Sequence, residues 1–117
     1  MEIAGVGIDV VEIADVENAR FKKRFAEYFL TREETRQIPK GSKEVPFLAS
    51  RFAAKEAVIK AFPVKLKPSE FTITKRGVKP IAVFASKKYA RDYAVQISIS
   101  HTEHLATALA IVVKNGV

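Results

Sequence analysis

Cysteine is absent from the 117 residues, which excludes disulfides and thiolate metal sites. Any metal must be held by oxygen or imidazole ligands, and hard cations such as magnesium come first. No apolar run reaches the roughly 18 residues that a membrane helix needs, and the N-terminus lacks the charged-then-apolar pattern of a secretory leader, so the expectation is a soluble cytoplasmic protein. Histidine is scarce: His101 and His104 are the only two. Without a third histidine or a cysteine, a zinc site there would need Asp or Glu to complete it. The Ser-x-Ser-His stretch lacks the glycine-flanked turn of a serine nucleophile. Repeats and low-complexity segments are missing too, so residues 1–117 are expected to form one domain. Acidic residues are outnumbered 13 to 20 by Lys and Arg, for a net charge of +7. That balance favours an anionic partner: nucleic acid, a phosphorylated small molecule or an acidic protein.

What is present reads as alternating strands and helices. Met1 to Ile13 is rich in β-branched residues and predicts a strand with Gly5, Gly7, Asp9, Val11 and Ile13 on one face. Two glycines leading into an acid suggest close approach of backbone or ligand, because no side chain stands in the way. Asp9 is then either a site residue in a tight place or a strand-ending cap. Helical spacing follows from Asp15, a candidate cap, with a basic cluster at Arg20, Lys22, Lys23 and Arg24 interleaved with Phe21 and Phe25. That cluster reads as a solvated helix face or as a docking surface for an acidic partner. Thr31 with Glu34 forms a capping-box pattern. After Pro63, short strands at Glu70–Lys75 and Pro80–Phe84 make a hairpin around Gly77, and Ser86 caps a short helix to Tyr93. Two long strands joined by a polar corner at His101–His104 close the chain. The fold class expected is α+β, with a mainly antiparallel sheet packed around a long central helix.

That helix, predicted over Phe47–Phe62 with Pro46 at its start and Pro63 at its end, holds the sharpest conflict. It is apolar in nearly every direction, as a core helix is, yet carries Arg51, Lys55, Glu56 and Lys60. Glu56 and Lys60 fall within about 40° of each other on the helical wheel. An unpaired carboxylate on a core helix needs a partner. A metal ion would supply one and make Glu56 a ligand; an ion pair with Lys60 would do so without a metal.

Taken together, G-I-D-V-V-E-I at Gly7–Ile13, L-T-R-E-E at Leu30–Glu34, F-L-A-S-R-F-A-A-K-E-A-V-I-K-A-F at Phe47–Phe62 and S-I-S-H-T at Ser98–Thr102 resemble holo-acyl-carrier-protein synthase. This is the small bacterial class of 4′-phosphopantetheinyl transferases, and the motifs match in order and approximate spacing over nearly the whole chain. The R-F-A-A-K-E-A block is the specific one. The resemblance implies a 4′-phosphopantetheinyl transferase-like fold and transfer of the phosphopantetheine group of coenzyme A to a serine of apo-acyl carrier protein, in support of fatty acid biosynthesis. It implies Asp9 and Glu56 as Mg²⁺ ligands. Lys60, together with them, would be catalytic and would also contact the phosphates of coenzyme A, as would Arg51, His101 and Thr102. The serine proton would pass to Glu56 or a water it holds, with Glu34 as a further candidate. Arg20, Lys22, Lys23, Arg24 and Phe25 would dock the acidic carrier protein, and a homotrimer would place active sites between subunits.

Three stretches depart from the family pattern. Pro63-Val64-Lys65 stands where a Gly-Thr-Gly-like loop is common, Gly77-Val78-Lys79-Pro80 replaces Gly-Lys-Pro, and Glu103-His104 follows His101-Thr102 in place of a basic-then-acidic pair. These changes bear on adenosine binding and leave both candidate metal ligands intact. Two competing functions are a nucleic-acid-binding module, which leaves Asp9 and Glu56 unexplained, and an inactive homologue that only binds carrier protein.

Overall fold

A computed structural model describes residues 2–18 and 22–116, with side chains described outside 22–25. Strand β1 (Glu2–Glu12) leads into the short helix α1 (Ile13–Glu17), then α2 (Lys22–Phe29), α3 (Arg32–Arg36) and the long α4 (Glu44–Ala61). The hairpin β2 (Phe71–Arg76) and β3 (Lys79–Phe84), helix α5 (Lys87–Asp92), and strands β4 (Tyr93–His101) and β5 (Leu105–Lys114) follow. β5 lies between β1 and β4 in an antiparallel sheet, and β2–β3 form a separate two-stranded one. The α+β class expected from sequence is therefore what the chain forms, with antiparallel pairing in both sheets.

Local chemistry accounts for most of these elements. Thr31 caps α3 in the capping box anticipated with Glu34, and Ser86 caps α5. Gly77, at φ 63°, occupies the left-handed position of the two-residue turn that closes the hairpin at Arg76 and Lys79. Two helix starts differ from expectation, and the hairpin strands shift by one residue. α4 starts at Glu44, because Pro46 sits inside the first turn, where its missing N–H costs nothing. Asp15 lies within the first turn of α1, and residue 12 takes the cap position.

The core forms where α4 lies across one face of the three-stranded sheet. Ala49, Ala53, Ala54, Ala57, Val58 and Ala61 of the helix are buried against Val11, Ala106, Ala108, Ala110 and Val112. Alanine keeps this side of the helix thin, and the strand answers with glycine. A Cβ on Gly5 would stand 1.9 Å from the Ala61 carbonyl oxygen, and one on Gly7 would stand 2.0 Å from that of Ala57. The close approach anticipated for these glycines is thus backbone on backbone, strand against helix. Its consequence is positional: two residues beyond Gly7, Asp9 is brought beside the last turns of α4. An aromatic cluster seals the far end, where the Phe62 ring lies 5.4, 5.0 and 4.9 Å from Phe84, Tyr89 and Tyr93.

The opposite face of the sheet is apolar and open. Ile3, Val6, Ile8 and Val10 of β1 are each more than half exposed, and Leu105 and Leu109 of β5 continue the surface. Scattered exposed apolar residues are ordinary, but a contiguous sheet face of them marks an interaction site.

Candidate active site

The central helix distributes Arg51, Lys55, Glu56 and Lys60 to two flanks. On the first, Lys60 donates to the Asp9 carboxylate at 3.0 Å and to the Ile8 carbonyl at 3.1 Å. Lys60 is half exposed and Asp9 is largely covered. Glu56, one helical turn back, has no hydrogen-bond or ion-pair partner among the described residues. Burial holds its carboxyl above the usual glutamate range, the neighbouring Asp9 charge pushes the same way, and Lys60 opposes them. The lysine therefore bridges to the strand and does not close an intrahelical pair with Glu56. The result is two adjacent carboxylates, one of them unpartnered among the described residues, with a half-exposed cation at their rim.

Lys55, on the other flank, is fully buried. Its ammonium donates to Glu34 at 2.7 Å and to the Phe71 carbonyl at 2.8 Å, and it lies 4.6 Å from the Phe71 ring centroid. Glu34 is equally buried: besides Lys55 it accepts from the Thr31 amide and the Ile73 amide, both at 2.8 Å. With both oxygens so engaged, and no solvent access, Glu34 drops out as an acceptor for the serine proton. The capping-box pattern found its helix-start role, but nothing in the local sequence pointed to Lys55, 21 residues on.

Arg51 lies on this second flank, five residues before Glu56 and so about 140° away around the helix axis. It lines a cleft of about 530 Å³ with His101, Lys43 and Lys75, over walls that include Phe47 and Pro80. Its guanidinium sits 4.6 Å from the centre of the Phe47 ring and donates to Gln37 at 3.0 Å. The Nε–H is buried without a partner among the described residues, and burial lowers the proton affinity of the group. Thr102 stands at the corner after His101, where its hydroxyl oxygen accepts from the amides of His104 and Leu105. Those two bonds leave the hydroxyl hydrogen free to donate outward. Lys43, Lys75 and Gln37 were not singled out by sequence reasoning, because polar loop and hairpin residues carry no periodic signal.

The proposed site residues thus form two groups, Asp9–Glu56–Lys60 and Arg51–His101, separated by the helix and the sheet beneath it. The sheet register agrees. Asp9 pairs with Ala108 on β5, and Ala108 pairs with Ile99 on β4, so the acid and the cleft stand at opposite edges of the sheet. Of the basic docking cluster, Arg20 lies outside the described residues, as do the side chains of Lys22, Lys23, Arg24 and Phe25.

Paired carboxylates beside a lysine, and a cationic cleft with apolar walls, suit an enzyme that handles a phosphorylated cofactor. Comparison with known proteins gives the class. The family model for the 4′-phosphopantetheinyl transferase superfamily matches residues 5–110, and the chain belongs to that superfamily. Within it, the chain is 34% identical to the holo-[acyl-carrier-protein] synthase of Fusobacterium nucleatum over 94% of its own length and 98% of the relative's. The crystal structure of a holo-(acyl-carrier-protein) synthase from Bacillus anthracis in complex with CoA (3′,5′-ADP) superposes with a TM-score of 0.82 at 29% identity, covering 99% of this chain and 100% of that one. The Helicobacter pylori holo-[acyl-carrier-protein] synthase in complex with coenzyme A gives a TM-score of 0.79 at 30% identity, with 92% and 99% covered.

Proposed function

We propose that this chain, as one domain over residues 1–117, transfers the 4′-phosphopantetheine group of coenzyme A to a serine of an apo-acyl carrier protein. The observation that carries this reading is the unpartnered Glu56 carboxylate held against Asp9 and Lys60 at the end of a glycine–alanine contact. The serine oxygen forms a bond to the β-phosphorus of coenzyme A, the bond from that phosphorus to the bridging oxygen breaks, and adenosine 3′,5′-bisphosphate leaves. The serine proton passes to Glu56 or to a water it holds. Lys60 reaches the same phosphates and offsets their charge. Arg51, His101 and Thr102, from the cleft flank, hold the phosphates of the cofactor.

The donor set fits magnesium. Two carboxylates without imidazole or thiolate suit a hard cation that keeps several waters, and no group of three His, Asp or Glu residues gathers among the described residues to form a full protein cage. Asp9 and Glu56 would hold the ion, which when bound polarises the phosphoryl group and stabilises the leaving oxygen.

Two groups of site residues on opposite flanks of α4 also bear on assembly. A single copy presents each group on a different side, so one coenzyme A molecule engages both when the acid flank of one copy meets the cleft flank of another. The open apolar face of β1 and β5 gives such copies a surface to bury. We propose that the active site lies between subunits, and the homotrimer is the assembly that the family resemblance implies. The partners in this scheme are coenzyme A and an acidic carrier protein that docks on Arg20, Lys22, Lys23, Arg24 and Phe25. The product serves fatty acid biosynthesis in the cytoplasm; among the described residues no helix is long and apolar enough to cross a membrane.

The direct test incubates the protein with apo-acyl carrier protein, coenzyme A and Mg²⁺ and weighs the carrier by intact mass spectrometry. A phosphopantetheine-sized gain that disappears in Asp9→Ala and Glu56→Ala is the expected result. No gain with the unaltered chain, across several carriers and divalent metals, rejects the transferase reading and favours an inactive carrier-protein binder.

A further inference from the structure

Arg51 is 5% exposed, yet among the described residues its positive charge has no carboxylate of its own. The nearest acid acting on it, Glu34, is already committed to Lys55 and to two backbone amides. What holds the guanidinium is neutral: Nη2 donates to Gln37 Oε1 at 3.0 Å, while the ring of Phe47 supports its face. Gln37 is itself fixed. Its Nε2 donates to Thr74 Oγ1 on β2 at 3.2 Å, and its backbone amide bonds back to the Glu34 carbonyl at the end of α3. Because the guanidinium only donates, the amide oxygen must face Arg51, and the amide nitrogen is left for the Thr74 hydroxyl; the flipped arrangement would set N–H against N–H at Arg51. Helix α3 is in turn tied to α4 and to β2 through Glu34. A chain of bonds therefore runs from the core to one nitrogen of Arg51, and the buried Nε–H remains without a partner.

From this geometry we propose that Gln37 is a positioning residue: it aims the Arg51 guanidinium into the cleft while leaving its charge uncancelled for an anionic group of coenzyme A. A carboxylate at the same place would hold Arg51 equally well and consume the charge the ligand needs. The inference rests on the reading of Arg51 as a coenzyme A contact, and it adds a residue outside the family motifs quoted above.

The test titrates coenzyme A into the unaltered protein and into Arg51→Ala, Gln37→Met and Gln37→Glu, with thermal melting of each. Gln37→Met keeps the side-chain volume and removes the acceptor; coenzyme A binding is expected to weaken about three- to tenfold, the scale of one ordinary net hydrogen bond. In steady-state transfer the same variant raises the KM for coenzyme A with kcat little changed. Gln37→Glu keeps shape and hydrogen bond, melts within a few degrees of the unaltered protein, and binds about tenfold or more weakly, with a shallower salt dependence because one net charge is lost. Gln37→Glu binding as tightly as the unaltered protein, while Arg51→Ala binds weakly, overturns the proposal and leaves the role of Arg51 standing. Unchanged binding by Arg51→Ala overturns the reading of the cleft itself, and this inference with it.

Discussion

The two flanks of α4 carry the same elements, a lysine and an acid brought from elsewhere in the chain, and use them oppositely. Lys55 and Glu34 are sealed from solvent, the ammonium bonded to Glu34 and the Phe71 carbonyl and both carboxylate oxygens engaged. Lys60 and Asp9 meet at a similar distance, but the lysine is half exposed and an unpartnered Glu56 stands beside it. A closed pair stabilises a structure and is costly to break. An open pair contributes little to folding and can exchange its partner for a ligand. Five residues along one helix thus separate a closed ion pair from an open one.

Breaking the closed pair should give the largest change in stability. Glu34→Gln or Lys55→Met alone should lower the unfolding free energy by about 3–5 kcal/mol in urea denaturation, since each leaves a buried charge without its counter-charge. The double variant should lose less than the sum of the two, as a coupled pair requires. Gly7→Ala comes next. Its Cβ would collide with the Ala57 carbonyl, so β1 must lift from α4, at a cost of about 1–3 kcal/mol. Asp9 moves with the strand, and transfer to carrier protein should slow by about tenfold or more, read by single-turnover kinetics.

Lys60→Met sharpens the contrast with Lys55→Met. Its stability should change by no more than about 1 kcal/mol, because the pair is open to water, while kcat falls by about a hundredfold through loss of a positioned cation. The smallest effect belongs to Glu56→Gln measured without metal. The folded state holds the Glu56 proton more tightly than the unfolded chain does, so its carboxylate costs stability above the folded pKa. Below the ordinary glutamate range both states are protonated and the cost vanishes. Glu56→Gln should therefore melt slightly higher than the unaltered protein at neutral pH, and the difference should shrink as pH falls through the raised pKa.

What could be read from sequence was what neighbouring residues decide. The capping box at Thr31, the cap at Ser86, the Gly77 turn, and the face shared by Gly5, Gly7 and Asp9 all follow from local rules, and the structure has them. The helical wheel set Glu56 against Lys60, but the lysine took Asp9, 51 residues away, because the glycine–alanine contact brings the strand closer than a side chain would allow. Glu34 was legible as a cap and not as the partner of Lys55, since a single carboxylate can serve a helix end and the core at once. The division of the site between two flanks was hidden for a related reason: motif spacing orders residues along the chain and says nothing of which side of a helix faces which neighbour.

We propose that the acid flank of one copy and the cationic cleft of another make one active site. The most direct measurement mixes two inactive variants, Arg51→Ala and Glu56→Gln, by co-refolding, and follows phosphopantetheine transfer by intact mass. If the site is shared, some interfaces join an unaltered cleft to an unaltered acid pair, and activity should return to about a quarter of the unaltered level, the share expected from random assembly of a ring. A mixture no more active than either variant alone, with mixed oligomers shown to form, contradicts the claim and returns both groups of residues to a single copy.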